Sequence, residues 1–545
     1  MNGNRAIAKI LRAEGVDWAA AFPEQPLIDA LVEEEIRPII CRHERTGVNM
    51  ADGYSRTLNQ SRFGVFTMQT GPGAENALGG VAQAFADSIP ILLLPGGQSR
   101  QRTQVHPHFE SVENYRLITK WAAEINLVTR VPELMRRAFT LLKNGRPAPV
   151  LLEILRDVGL EEFPGELEYT PVARLRSAAA SEDVRDLVAA LGKAERPMIV
   201  AGHGVLWAEA SEELARFAEL AAAPVMMTLA GKSGFPEDHP LSLGCYGGSG
   251  TDMAGRFLAN ADFILGVGTS FTPANLNAAI PEGPVLAQIT NCLEDVNKYH
   301  AVSYGAVGDA RLVLLQAIEE AKRQFGEQGR DSSGVAGEIA RIQAGFMAEW
   351  KPRLTSTEVP VSPYRVFTEI ASAVDVANTI ITHDSGFPRD QLAPFWQSTT
   401  PRSYMGWGKS TQLGYGLGLA LGAKLAAPDK QVVNVMGDAA FGMAGLDIET
   451  AARAEIPILT VVLNNGVMTH YHEHMPLATE RWGSNRLGGD YAGVGAALGA
   501  YAERVDDPEE VGAALRRGIA ANREGQPAVI EVMTKEEEDI PRSLP

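Results

Sequence analysis

Gly437–Asn465 reads GDAAFGMAGLDIETAARAEIPILTVVLNN, and its pattern decides the fold. The apolar run Gln431–Met436 (QVVNVM) leads in as a strand, Gly437-Asp438 makes a turn, and an amphipathic helical stretch follows. A second apolar run, Ile458–Leu463, ends at Asn464-Asn465. Strand, helix and strand in that order form a βαβ unit with parallel strands. In an open parallel sheet, ligands bind outside the carboxyl ends of the strands. Asp438 and Asn465 both fall there, and each offers a hard oxygen. Either dipeptide alone is also an ordinary turn, so the reading needs a second site elsewhere in the chain.

Composition narrows the field. The 545 residues are 45% hydrophobic and 21% charged, an ordinary globular balance. The length predicts about three domains. No apolar run reaches the ~18–20 residues of a membrane span. The opening MNGNRAIAKILRAEGV lacks the basic head, apolar stretch and small-residue cleavage site of a signal peptide. Cys41, Cys245 and Cys292 are too few and too scattered for a disulfide frame or a thiolate metal site. A cytoplasmic protein without a membrane partner is expected. A net charge of −18 with no basic stripe argues against nucleic acid, whose phosphates it would repel.

Mg²⁺ takes near-octahedral oxygen and is usually held by one or two carboxylate-type groups together with phosphate oxygens. One Asp, one Asn amide and a loop carbonyl therefore suit a Mg²⁺-diphosphate better than a metal caged by protein alone. GD followed at this spacing by NN resembles the signature of thiamine-diphosphate (ThDP) enzymes of the acetolactate synthase/pyruvate decarboxylase-like superfamily. The resemblance implies that Asp438, Asn465 and the Val467 carbonyl bind the metal. It also implies that Gly386, Gly437, Ala439 and Ala440 face the diphosphate. The family usually writes GDG, and Ala439 is a mild departure.

The second anchor lies far upstream. RPIIC (Arg37–Cys41) reads as a strand and HERTGVNMADGYSR (His43–Arg56) as a helix, which puts Glu44 at their junction. A carboxylate there is favoured by the helix dipole alone. The stretch also resembles the RHE…MADGYAR segment of acetolactate synthase-like enzymes. That implies a proton relay between Glu44 and N1′ of the cofactor's aminopyrimidine, which makes the 4′-nitrogen basic enough to take the thiazolium C2 proton. In MGWGKSTQLGYGLGLALGAK (Met405–Lys424), the same resemblance makes Leu413 the wedge that bends the cofactor and turns the Thr411 carbonyl to the 4′-amino group. His383-Asp384-Ser385-Gly386 resembles the family's diphosphate loop.

After Asn465, the alternation His470, His472, His474 invites a zinc reading, because imidazoles two apart in a strand share a face. With no cysteine near, an active-site lid with His470 as a catalytic histidine is preferred. Between the anchors, GKSGFPEDHPLSLG (Gly231–Gly244) resembles the family's Rossmann-like middle domain, which holds a flavin in acetolactate synthases. VLAQITN (Val285–Asn291) lacks the carboxylates that would meet a ribose, which argues against FAD. Phe22-Pro23-Glu24-Gln25 and His106-Pro107-His108-Phe109 depart from the family where substrate is expected, so the substrate stays open.

The expectation is an α/β protein of three doubly wound parallel-sheet domains: pyrimidine-binding (1–165), middle Rossmann-like (180–325) and diphosphate-binding (360–535). The resemblance implies a homodimer or homotetramer with active sites at subunit interfaces. It implies ThDP- and Mg²⁺-dependent decarboxylation or carboligation of a 2-keto acid. The alternatives are a 2-hydroxyacyl-CoA lyase or oxalyl-CoA decarboxylase-type enzyme, against which the short tail counts, and a non-catalytic ThDP-binding homologue.

Overall fold

The computed structural model describes residues 1–541 except 24–25, 61, 274–278 and 407; the expectation at Glu24 and Gln25 thus lies outside the described residues. The strands form three six-stranded sheets, and every strand pairing within them is parallel. The first sheet holds β1 (Trp18–Ala21), β2 (Arg37–Ile40), β3 (Gly64–Met68), β4 (Ile91–Gly97), β5 (Trp121–Ile125) and β6 (Val150–Leu155), ordered β2-β1-β3-β4-β6-β5. The second holds β7 (Pro197–Ala201), β8 (Val225–Met227), β9 (Ser242–Cys245), β10 (Phe263–Val267), β11 (Val285–Thr290) and β12 (Tyr304–Val307), ordered β12-β11-β10-β7-β8-β9. The third holds β13 (Thr379–His383), β14 (Tyr404–Met405), β15 (Gln431–Gly437), β16 (Leu459–Asn464), β17 (Tyr501–Val505) and β18 (Ala528–Met533), ordered β14-β13-β15-β16-β18-β17. Counted within each sheet, the first and third share one strand order. The second has the dinucleotide-binding order of Rossmann folds.

The apolar strand runs follow from this layering. Helices cover both faces of each sheet, so strands such as Phe263–Val267 (FILGV) are buried at every position and carry no polar side chain. The polar stretch after Phe163 forms no regular element until Ser181. It is nonetheless pinned: Glu14 accepts hydrogen bonds from the Tyr169 hydroxyl at 2.6 Å and the Val172 N–H at 2.9 Å. No helix among the described residues is long and apolar enough to cross a membrane.

One contact positions the site. Helix Glu44–Thr57 of the first sheet packs on helix Gly416–Ala426 of the third. The glycines of the second helix make the close approach possible, because a Cβ on Gly422 would strike the Met50 carbonyl and one on Gly418 the Asn49 side chain. The seam ends in a buried polar cluster. Arg56 pairs with Asp52 and, at 3.0 Å, with Asp87, and donates to the Gly406 carbonyl at 2.7 Å. The Tyr415 hydroxyl donates to Asp52.

Candidate active site

Register places the paired oxygens. Gly437 of β15 lies beside Leu463 of β16, so Asp438 and Asn464-Asn465 leave the sheet together at its carboxyl edge. The Asp438 carboxylate is 4% exposed and accepts from Ala439 N at 2.7 Å and Gly466 N at 2.9 Å. Burial pushes its carboxyl above the ordinary range, while these two main-chain hydrogen bonds pull the other way. A buried carboxyl met only by neutral donors fits a divalent cation, which would stabilise the anion. The Asn465 amide accepts from Val467 N at 3.1 Å and donates to Thr469 Oγ1 at 2.8 Å.

Gly386, Leu413, Gly437, Asp438, Ala439, Ala440, Asn465, Val467 and His470 all line one cleft of about 380 Å³. Gly386 has φ +84° and open space where a Cβ would stand, so a ligand oxygen can approach its backbone. Glu44 and Thr411 do not line that cleft. Glu44 is 4% exposed at the start of its helix and accepts from Asn76 Nδ2 at 3.2 Å. The neighbouring Arg45 guanidinium reaches across to the Met443 carbonyl at 3.4 Å. The Thr411 carbonyl accepts from the Ser385 hydroxyl at 3.2 Å.

The histidine segment differs from the strand pattern behind a zinc reading. Tyr471–His474 is one helical turn, and His470 before it sits at φ +70°. His470 faces Glu473 at 3.1 Å and Glu538 at 3.7 Å. His472 faces the same Glu538 at 3.5 Å. The tail therefore reaches the rim despite its length, and Thr534, Lys535 and Glu537 line the cleft.

Sequence reasoning placed Asp384 in a loop but gave its carboxylate no role, and missed Glu531. Asp384 accepts from Gly414 N at 2.9 Å and Gly416 N at 2.8 Å. Glu531, on β18, accepts from Asn464 Nδ2 at 2.6 Å and Ala492 N at 2.8 Å. Asp384 had a signal, an acid placed directly between a strand and a glycine turn. Glu531 had none, because within PAVIEV it reads as one polar break in an apolar strand.

In the second sheet, the switch point lies between β7 and β10. There Gly202, His203, Gly204, Gly268 and Thr269 line a crevice of about 100 Å³, closed by Asp87, Arg146, Asp295 and Lys409. Gly204 N donates to the Gly268 carbonyl at 2.9 Å and draws together the two loops between which a pyrophosphate would lie.

Fold and cleft define an α/β protein with a cleft at the carboxyl edge of a doubly wound sheet, into which Asp438 and Asn465 bring oxygen atoms. The thiamine pyrophosphate enzyme family matches the chain in three pieces: its N-terminal TPP binding domain over residues 1–116, its central domain over 184–318 and its C-terminal TPP binding domain over 384–532. The chain belongs to that family of thiamine-diphosphate-dependent enzymes. It is 29% identical to a probable acetolactate synthase large subunit of Methanococcus aeolicus, over 95% of this chain and 90% of that one. It is 28% identical to the acetolactate synthase large subunit of Corynebacterium glutamicum, over 99% and 88%. Glyoxylate carboligase of Escherichia coli O157:H7 is 28% identical over 96% and 91%.

Proposed function

We propose that this protein is an acetolactate synthase-like, ThDP- and Mg²⁺-dependent enzyme that decarboxylates or ligates 2-keto acids. The observation that carries the reading is the Asp438–Asn465 pair in a cleft that also holds Leu413 and Gly386. Units 1–165 and 360–535 would hold the two ends of the cofactor, with 180–325 between them. Asp438, the Asn465 amide and the Val467 carbonyl would hold Mg²⁺. The main chain at Gly386, Gly437, Ala439 and Ala440 would face the diphosphate. When bound, ThDP supplies an electron sink for the pair released as a 2-keto acid loses carbon dioxide. Leu413 would pack against the cofactor, and the Thr411 carbonyl, with a lone pair to spare beside Ser385, would accept from its 4′-amino group. Glu44 would give and take a proton at N1′. His470, at the rim, would donate a proton to the product and close the cleft to water.

Glu44 does not line the cleft of its own chain, so this reading has a second copy supply it, in a cytoplasmic homodimer or homotetramer. Leu78 and Phe85 on the first unit, and Met443 and Leu446 on the third, are exposed apolar residues available to such an interface. Complementation tests it. Glu44→Gln and Asp438→Ala chains, each inactive, regain about a quarter of wild-type activity when mixed if each site takes one residue from each copy of a dimer. No recovery places the site within one chain. A screen of 2-keto acids for carbon dioxide release and ligation products, with ThDP and Mg²⁺, tests the activity, and silence across the panel with bound cofactor refutes it.

A further inference from the structure

One buried carboxylate joins the two loops on which the proposed cofactor seat depends. Asp384 follows β13 directly, is fully buried, and is tied by its own N–H to the Val435 carbonyl of β15 at 3.0 Å. Its carboxylate accepts three main-chain hydrogen bonds: Ser385 N at 2.7 Å, Gly414 N at 2.9 Å and Gly416 N at 2.8 Å. The first belongs to the 384–386 loop and the other two to the turn that starts helix Gly416–Ala426. Gly414 holds φ +82°, a conformation that glycine alone adopts freely, so the turn has a defined shape for the carboxylate to grip. On the other side of Leu413, the Ser385 hydroxyl donates to the Thr411 carbonyl at 3.2 Å. The backbone carrying Leu413 is thus held from both sides by consecutive residues of one loop.

We propose that Asp384, with Ser385, is a positioning residue that fixes the Leu413 wedge and the Thr411 carbonyl relative to the diphosphate loop, before any cofactor arrives. This rests on the reading of the cleft as a ThDP seat. Asparagine has nearly the same shape but cannot replace the carboxylate. Its oxygen satisfies donors on one side, while its NH₂ faces an N–H on the other, so one segment is released. Side chains that hold a reacting geometry matter at the sub-ångström level, and a shift of about 1 Å costs on the order of 100-fold in rate.

Hydrogen exchange of the cofactor-free full chain reads the clamp directly. In Asp384→Asn, the amides of 411–416 should exchange at least about 10-fold faster, while those of 458–464 in β16 keep wild-type rates. In the loaded protein, kcat should fall about 100-fold, with KM for the 2-keto acid within about 3-fold. Ser385→Ala keeps the carboxylate clamp and frees only the Thr411 carbonyl. Exchange at 414 and 416 should then hold, with a smaller loss of about 5-fold, again in kcat and not KM. Wild-type exchange in Asp384→Asn overturns the clamp. Faster exchange with unchanged kcat overturns the positioning role. If Asp384→Asn does not fold, Ser385→Ala decides: a loss confined to kcat supports the role, and wild-type kcat overturns it. Failure of the ThDP reading would appear separately, as wild-type protein that does not bind ThDP at all.

Discussion

The first and third sheets are the same topology used twice. Each runs 2-1-3-4-6-5 when its own strands are counted, and the helices that follow their second strands, Glu44–Thr57 and Gly416–Ala426, pack on each other. Yet their carboxyl edges differ. Where Asp438 follows β15 and Asn465 follows β16, the equivalent places after β3 and β4 hold Gln69 and Gln98. A neutral pair of amides gives a cation little reason to bind, so the first unit has the frame of the site without its charge. Its functional candidate, Glu44, instead heads the helix after β2. The architecture supplies two equivalent edges, and a few strand-end residues decide what each one does.

The sharpest way to break this asymmetry is to remove its charge. Asp438→Ala should weaken Mg²⁺-ThDP binding by at least about 100-fold in calorimetric titration. Gln69→Ala, at the matching place, should leave metal binding within about 3-fold; an equal loss at both would end the distinction. Glu44→Gln should lower turnover on the order of 1,000-fold while cofactor affinity holds, since only the proton relay is removed. Gly422→Ala tests the seam between the equivalent helices. Its new methyl meets the Met50 carbonyl and should destabilise the fold by about 1–3 kcal/mol in denaturant titration.

The smallest effect is set by pH. The Asp438 carboxyl is raised above its unfolded value by burial, so in the cofactor-free protein it favours folding at low pH, and that contribution is lost as pH rises through the raised value. Mg²⁺ needs the anion and pulls the other way. Metal affinity should therefore fall as pH drops through the raised value, above the pH at which an exposed aspartate would lose its metal. Titrations from neutral to acid pH that show a fall only in the ordinary carboxylate range would contradict the burial argument.

Much of this was legible in the chain before folding. The βαβ reading of Gly437–Asn465, the helix carrying Glu44 and the strand at Arg37 all appear within a residue or two, because apolar strand runs and helical spacing are local patterns. The single turn at Tyr471–His474 was not legible, since three alternating imidazoles in a short loop carry no packing signal to separate extended chain from a turn. The contact of the tail with that segment was equally hidden, for Glu536 and Glu538 look like a solvated acidic end.

The sequence alone determined the class of sheet and the order of three α/β units, and it singled out candidate residues for a cation and a diphosphate, because periodicity and side-chain chemistry are local properties. Only the tertiary structure decided which of them share a cleft, that Glu44 stands outside it, and that Asp384 grips the turn beyond Leu413. Those facts depend on strand register and on helix approach distances set by glycines remote in sequence, and no local pattern encodes a distance between segments that meet only when the chain is folded.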